Sequence, residues 1–343
     1  MINLKNLNFV ELKNFIKKIN EPNFRAQQIL KWLSDGVENF YEMSNISEKT
    51  RKKLISSSYI SKIDIKKKIV SEIDRTTKYL FKLDDLNYIE SVLMKYKHGF
   101  TVCISTQVGC KMNCKFCASS KNGWFRNLTC SEMIDQILAI SKDSKIKISN
   151  IVLMGIGEPL DNYENIIKFL SIINCVHGLN ISYRRITIST CGLANKIIDL
   201  AEKKFQITLS VSLHATNDKI RNSIMPINLK YNLKTLINAC KYYVANTKRR
   251  ITFEYALIRE INDKTEDANK LSELVRGILC HINLIEINPI HEINFDKPNS
   301  NSVTKFIQIL RKNKINVTLR RKMGEEINAS CGQLRNKIIN EEY

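Results

Sequence analysis

The sequence predicts an α/β protein: a partial, open barrel of six βα units, preceded by a small helical and β accessory unit and followed by a tail over the barrel mouth. Two observations carry this. From about residue 99, apolar and β-branched runs recur at Thr101–Ser105, Asn150–Met154, Arg185–Ser189, Gln206–Ser212, Ile251–Leu257 and Ile282–Asn288. Between them, apolar residues spaced by three and four mark helices over Glu132–Ser141, Tyr163–Cys175, Ala194–Lys203, Leu233–Val244 and Glu266–Ile278. Strands alternating with helices imply a parallel sheet with helical crossovers. Six repeats fall short of the eight that close a full barrel.

Taken in order, residues 1–90 differ from the rest. Leu12–Ile16 and Ala26–Leu33 have helical apolar spacing, and Glu21-Pro22-Asn23 separates them. From Tyr59 to Leu93 the pattern is β-like, as in Ile63-Asp64-Ile65 and Tyr79–Leu83, so a hairpin or small sheet leads into the main domain. Residues 91–320 form the barrel. In it Thr129-Cys130-Ser131-Glu132 reads as a capping box opening the first helix. A seventh short strand, Asn316–Arg320, precedes the tail at 321–343.

Composition narrows the function classes. Of 343 residues, 43% are hydrophobic, with 11 Gly and 5 Pro, which excludes a disordered or collagen-like chain. No apolar run approaches the roughly 18 residues of a membrane span. Met1-Ile2-Asn3-Leu4-Lys5 lacks the apolar stretch of a signal peptide. The expectation is a cytoplasmic protein without a membrane partner. The net charge of +20 favours a polyanion such as nucleic acid. Lysine dominates the excess, which is spread along the chain, as base composition of a genome alone would also produce. Arg184-Arg185, Arg249-Arg250 and Arg320-Arg321 are candidate RNA contacts, alongside the N-terminal unit.

Ten cysteines in a chain expected to be cytosolic argue against a disulfide framework. Cys175, Cys240 and Cys280 sit in or beside apolar helical stretches and read as buried small hydrophobes. Cys110, Cys114 and Cys117 do not. Their C-x3-C-x2-C spacing, after the first barrel strand, lets one loop offer three thiolates to one metal centre. A structural zinc site takes four protein ligands. A cubane iron–sulfur cluster held by three cysteines keeps one iron open. His98, Cys103 or Cys130 could complete a zinc site, so spacing leaves both centres open.

Other strand ends carry polar or glycine-rich turns: Met154-Gly155-Ile156-Gly157-Glu158-Pro159, Ser189-Thr190-Cys191-Gly192, Ser212-Leu213-His214 and Asn288-Pro289. In such barrels these loops line the catalytic mouth. Glycine admits a ligand close to the backbone, and Glu158 can accept hydrogen bonds from an amino group.

The cysteine loop, with Phe116 before its last cysteine, resembles the signature of the radical S-adenosylmethionine superfamily. With Cys103 upstream, Ala329-Ser330-Cys331-Gly332-Gln333-Leu334 in the tail and the strand-end turns, the chain resembles one family more narrowly. These are the bacterial methyltransferases that modify C2 of adenine in 23S ribosomal RNA and certain tRNAs. The resemblance covers nearly the whole chain, most specifically from about residue 87 to 335.

It implies a [4Fe-4S] cluster on Cys110, Cys114 and Cys117, and S-adenosylmethionine held by Gly157, Glu158, Ser189, Ser212, Leu213, His214 and Asn288. It implies Cys331 as methyl carrier, Cys103 as the resolving thiol that forms a disulfide with it, and Glu90 as proton acceptor. Two S-adenosylmethionine molecules are consumed per turnover: one methylates Cys331, the other is cleaved to a radical that activates that methyl. The implied targets are adenine 2503 of 23S rRNA and adenine 37 of tRNA. The implied electron donor is a reduced flavodoxin or ferredoxin, and the implied state is a monomer. The chemistry is coherent, because adenine C2 lies between two ring nitrogens and is too electron-poor to attack a sulfonium methyl. A carbon radical can add to it.

Three alternatives stand beside this reading. A related class methylates C8 of the same rRNA adenine, and Pro159 favours the C2 enzyme. A zinc-stabilised RNA-binding protein accounts for charge and cysteines but not for the strand-end loops. A different radical enzyme, such as a tRNA thiomethylase or an activase, would show either another cysteine cluster or no carrier cysteine in the tail.

Overall fold

Asn8 opens the first helix by accepting the backbone N–H of Glu11, whose carboxylate accepts that of Asn8 in return. Helices α1 (Phe9–Lys18), α2 (Phe24–Ser34) and α3 (Glu48–Ser57) follow. They share a core of their own around Leu12, Ile16, Ile29, Leu33 and Leu54. Helix α3 has little apolar periodicity in sequence, because it buries only Thr50 and Leu54. Short strands β1 (Ile2–Asn3) and β2 (Ser58–Tyr59) pair in parallel and close this unit. A buried ion pair, Lys5 to Asp135 at 2.6 Å, and a bond from Asn3 to Ser131 at 2.9 Å tie it to the first barrel helix.

The computed structural model describes residues 1–288 and 295–335. Pro289 of the last strand-end turn and tail residues 336–343 lie outside the described residues.

Strands β3 (Asp64–Val70), β4 (Thr77–Lys82) and β5 (Tyr88–Tyr96) form an antiparallel meander, which β6 (Gly99–Cys103) joins. The sequence groups residues up to 90 with the N-terminal unit. In the structure these strands extend the main sheet, and β5 runs through residue 90. Ile89 to Met94 are buried at every position, and a strand covered on both faces belongs inside a large sheet.

A two-stranded ribbon, β7 (Gln107–Gly109) and β8 (Trp124–Asn127), brackets the cysteine loop. Then come α4 (Cys130–Ser144), β9 (Asn150–Leu153), α5 (Tyr163–Ile173), β10 (Ile186–Thr190), α6 (Ala194–Glu202) and β11 (Thr208–Ser212). The chain continues through α7 (Asp218–Ile224), α8 (Leu233–Thr247), β12 (Ile251–Leu257), α9 (Thr265–Leu274), β13 (Cys280–Glu286), α10 (Ser300–Lys312) and β14 (Val317–Leu319). The sheet order is β14-β13-β12-β11-β10-β9-β6-β5-β4-β3. All neighbours from β6 to β14 are parallel, so the barrel has six main strands with β14 as the short seventh. The predicted capping box is present: Thr129 accepts from the N–H of Glu132, and Glu132 from that of Thr129 at 2.8 Å.

Period-two alternation sorts the strand residues. Ile151, Leu153, Ile186, Ile188, Leu209 and Val211 are buried in the main core. The alternate positions carry Ser189, Ser210, Ser212, Glu254 and Asn283, with Val152, Ala256 and Ile285 as their apolar members. Ser189, Ser212 and Glu254 line a cavity at the strands' C-terminal ends. The sheet thus supports a core on one face and a polar site on the other.

Candidate active site

The ribbon fixes the cysteine loop. The N–H of Cys110 donates to Gly123 O at 3.0 Å, that of Lys115 to Ile224 O at 2.9 Å and that of Ala118 to Gly332 O at 2.7 Å. Gly109 is obligatory here: its φ is +76°, and a Cβ would lie 1.9 Å from Gly123 O. The three cysteines line a cavity of about 170 Å³, and Gly157, Glu158, Ser189, Ser212, His214, Asn288 and Cys331 line it with them. Leu213 does not. It is fully buried, its N–H donates to Glu254 O at 3.0 Å, and only its backbone lies near the site.

Each strand-end residue is held by its neighbours. Gly157 has φ +105°, and a Cβ there would sit 2.5 Å from Gln107 Cβ. Glu158 is buried, with Oε1 accepting from Leu160 N at 2.9 Å and Oε2 from Cys191 N at 2.7 Å. Burial nonetheless pushes its carboxyl pKa up. Both oxygens already serve the backbone, so an incoming amino group would share them. Asn288 donates from Nδ2 to Cys331 O at 3.0 Å, so it holds the tail at the mouth.

His214 is 4% exposed, accepts from Ala256 N through Nδ1 at 2.9 Å and meets Phe116 edge-on at 4.8 Å. Burial, then the Arg221 charge, pull its pKa down to about 3. The imidazole should therefore remain the neutral Nε2–H tautomer from pH 7 to 4.5, which ¹⁵N spectra of labelled histidine would read. The unfolded chain takes up this proton below about pH 6.5 while the folded chain does not. His214 thus lowers stability progressively as pH falls from that value toward 3.

The structure brings together Cys331 and Cys103, which sequence spacing keeps apart, while Glu90 lines neither of their cavities and meets the tail at Arg335. Cys331 lines the cysteine cavity and also a smaller one of about 50 Å³ that holds Cys103. Both are free thiols. Burial, with the Cys331 sulfur nearby, pushes the Cys103 thiol up to about 12. Glu90 is buried on β5, with Oε1 3.2 Å from Lys78 Nζ and Oε2 accepting from Arg335 N at 2.7 Å. Burial outweighs the lysine and raises its pKa. The tail is anchored further by Gly324 N to Asp74 at 2.9 Å, Ser119 Oγ to Leu334 O at 2.9 Å and a Ser71–Glu326 contact.

The donor set fits an iron–sulfur cluster. Burial and mutual repulsion push the thiol of Cys110 up to about 12 and those of Cys114 and Cys117 above their ordinary value. Three thiolates can therefore coexist here only around a cationic centre. Among the described residues no group of three His, Cys, Asp or Glu is arranged to hold a single metal ion. Of the zinc alternatives, Cys130 is buried in the main core and His98 stacks on Tyr96 at 5.4 Å. Cys103 faces the smaller cavity.

Sequence reasoning missed four residues. Gln107 accepts from Glu158 N at 2.8 Å and donates to Asn127 and Asp161, fixing the Gly157-Glu158 turn. Arg221 is fully buried and donates to Leu213 O, Ser212 O, Cys191 O and Asn228. Glu254, inside the barrel, accepts from Ser210 at 2.6 Å and Asn283 at 3.1 Å. Arg320, a candidate RNA contact by sequence, lines both cavities, 3.6 Å from Glu254. Apart from the arginine pair that includes Arg320, none had a signal beyond a lone polar residue in or beside an apolar run.

Comparison with known proteins gives a consistent answer. The radical SAM superfamily model matches residues 104–272, and the ribosomal RNA large subunit methyltransferase N-terminal domain model matches residues 2–60. The chain is 52% identical over 340 residues to a probable dual-specificity RNA methyltransferase RlmN of Clostridium novyi (strain NT), covering 99% of each chain. It is 51% identical over 338 residues to the protein of the same description from Alkaliphilus oremlandii (strain OhILAs), covering 98% of each. A crystal structure of a radical SAM methyltransferase from Sphaerobacter thermophilus superposes with a TM-score of 0.93 at 39% identity, over 98% of this chain and all of that one. With the cysteine loop, the partial barrel and the N-terminal unit all accounted for, this chain belongs to the RlmN family of radical SAM RNA methyltransferases, which use a [4Fe-4S] cluster and S-adenosylmethionine.

Proposed function

We propose that the protein methylates C2 of an adenine in 23S rRNA and of an adenine in certain tRNAs, at positions 2503 and 37 respectively, by way of Cys331. The observation that carries this is the position of Cys331 on two cavities at once, one with the cluster cysteines and one with Cys103. A cysteine that must first take a methyl group and later be released by a second thiol needs access to both.

Cys110, Cys114 and Cys117 would hold the cluster, and Gly157, Glu158, Ser189, Ser212, His214 and Asn288 would orient S-adenosylmethionine beside it. Leu213 would contribute backbone only. When bound, these groups supply a 5′-deoxyadenosyl radical able to take hydrogen from a methyl group. The chain's own residues do the rest. Cys331 Sγ presents the methyl carbon to the adenine. Glu90 takes the C2 proton, a role supported by its buried carboxylate and by its bond to Arg335 N, four residues after Cys331. Once the adduct has given up the C2 proton and its unpaired electron, the Cys103 thiolate attacks Cys331 Sγ. The S–S bond forms as the bond from Cys331 Sγ to the methylene carbon breaks. That carbon leaves with the bonding pair and takes a proton to become the C2 methyl group, and an outside reductant must reopen the disulfide. Pro159, at the start of a helical turn behind Glu158, supports C2 over C8. A flavodoxin- or ferredoxin-type donor would supply electrons to a monomer, and ribosomal RNA as substrate would place the protein in the cytoplasm.

Nucleoside mass spectrometry of rRNA and tRNA incubated with the reconstituted protein tests the reading. 2-Methyladenosine is expected, 8-methyladenosine would favour the related class, and unmodified RNA would overturn the proposal.

A second prediction concerns Glu90. Its raised pKa places the acid limb of the reaction above the ordinary carboxylate range, so single-turnover product release should slow as pH falls into that limb. Glu90→Gln should remove the limb and leave RNA attached to Cys331. Unaltered turnover in Glu90→Gln would assign the proton to another base.

A further inference from the structure

Two of the larger exposed apolar side chains stand beside the catalytic mouth: Trp124 at 41% exposure and Phe125 at 58%. Both lie on β8, directly after Gly123, whose carbonyl pins Cys110. A regular strand would turn one of two neighbours inward. Here Gly109 pairs with Trp124 and Val108 with Arg126, so Phe125 is an extra residue in a bulge. Bulges beside active sites re-aim side chains, and this one leaves both rings in solvent.

Two of the neighbouring cations are already paired. Lys111 lies 5.1 Å from the Trp124 ring centre and pairs with Asp161 at 2.8 Å. Arg126 pairs with Asp85 at 2.6 Å and with Glu132 at 2.8 Å. Lys121, exposed three residues before Trp124, has no ion pair among the described residues, so the rings stand beside one uncommitted positive charge. Stacking faces next to a cation suit unpaired nucleotides, base and phosphate together.

We infer that Trp124 and Phe125 form a stacking platform for the unpaired bases next to the adenine that enters the site. The inference rests on the chain acting on RNA. An adenine presented to a buried sulfur must leave its stack, which uncovers its neighbours. Aromatic rings re-cover such bases whatever their sequence, which suits an enzyme meeting more than one RNA.

The chain has two tryptophans, so Trp32→Phe leaves Trp124 as the single emitter. Titrating the reconstituted Trp32→Phe protein with a synthetic RNA hairpin bearing an unpaired adenine should quench its fluorescence saturably. Trp124→Ala/Phe125→Ala should lower kcat/KM for that hairpin about 10- to 100-fold, mainly through KM. Trp124→Phe should retain most activity. Methylation of Cys331 without RNA, read by intact-protein mass spectrometry, should be unchanged in the double variant. Its absence from the native protein would instead fail the Cys331 reading. Unquenched fluorescence with unchanged kcat/KM overturns the platform. So does a defect seen only with a flavodoxin-type donor and removed by dithionite, which would make the ribbon a docking surface for a redox protein.

Discussion

Cys331→Ala should reduce RNA methylation on the order of 10³-fold or more, the scale of deleting a covalent nucleophile. Among the described residues, no other cysteine lines both cavities: Cys191 lines only the cluster side and Cys103 only the inner one. Neither can stand in for Cys331 without a shift of backbone. Cys103→Ala should behave differently. Addition to the adenine would proceed, release would not, and protein-linked RNA would accumulate as a retarded band on a denaturing gel. The native protein purified under anoxic, reconstituting conditions should carry a methyl mass increment on Cys331. Normal multiple turnover in Cys103→Ala would remove the resolving role, and normal turnover in Cys331→Ala would remove the carrier.

How far this was legible in the sequence depends on distance along the chain. Cys110, Cys114 and Cys117 sit within one loop, so their spacing alone announces a shared centre. The alternation of β-branched runs with helical spacing announces the parallel sheet for the same local reason. Cys103 and Cys331 meet only because β14 leads the tail back across the mouth, where Gly332 and Asn288 hold it. Nothing in either residue's surroundings encodes that closure; family resemblance did. Helix α3 is hidden because its exposed positions are nearly all polar, and the place of β3–β5 in the main sheet is hidden because strand pairing is not a local property. Arg320 holds a position that its pairing with Arg321 in sequence does not announce: it lines both cavities and lies 3.6 Å from buried Glu254.

Arg221→Met should cost roughly 3–5 kcal/mol of stability, from buried acceptors left unpaired, and lower Tm by about 4–7 °C. The guanidinium is fully buried, and among the described residues it forms no ion pair with a carboxylate. It donates to Cys191 O at 2.8 Å, Leu213 O and Ser212 O at 3.0 Å each and Asn228 Oδ1 at 2.8 Å, while Asn228 in turn donates to Asp218. Burial pulls its pKa down. An arginine still keeps its charge, so these carbonyls serve as its solvent. Removing it strands acceptors at the ends of two neighbouring strands, β10 and β11, at about 1–3 kcal/mol each before relaxation. Those ends carry Ser189, Ser212 and His214, so affinity for S-adenosylmethionine should fall along with stability, as equilibrium dialysis of reconstituted protein would measure. Arg221→Lys should recover only part of either, since one ammonium cannot span the fork that four acceptors define. An unchanged Tm with unchanged affinity in Arg221→Met would mean that the strand ends hold their positions without it, and that the site is organised by the sheet alone.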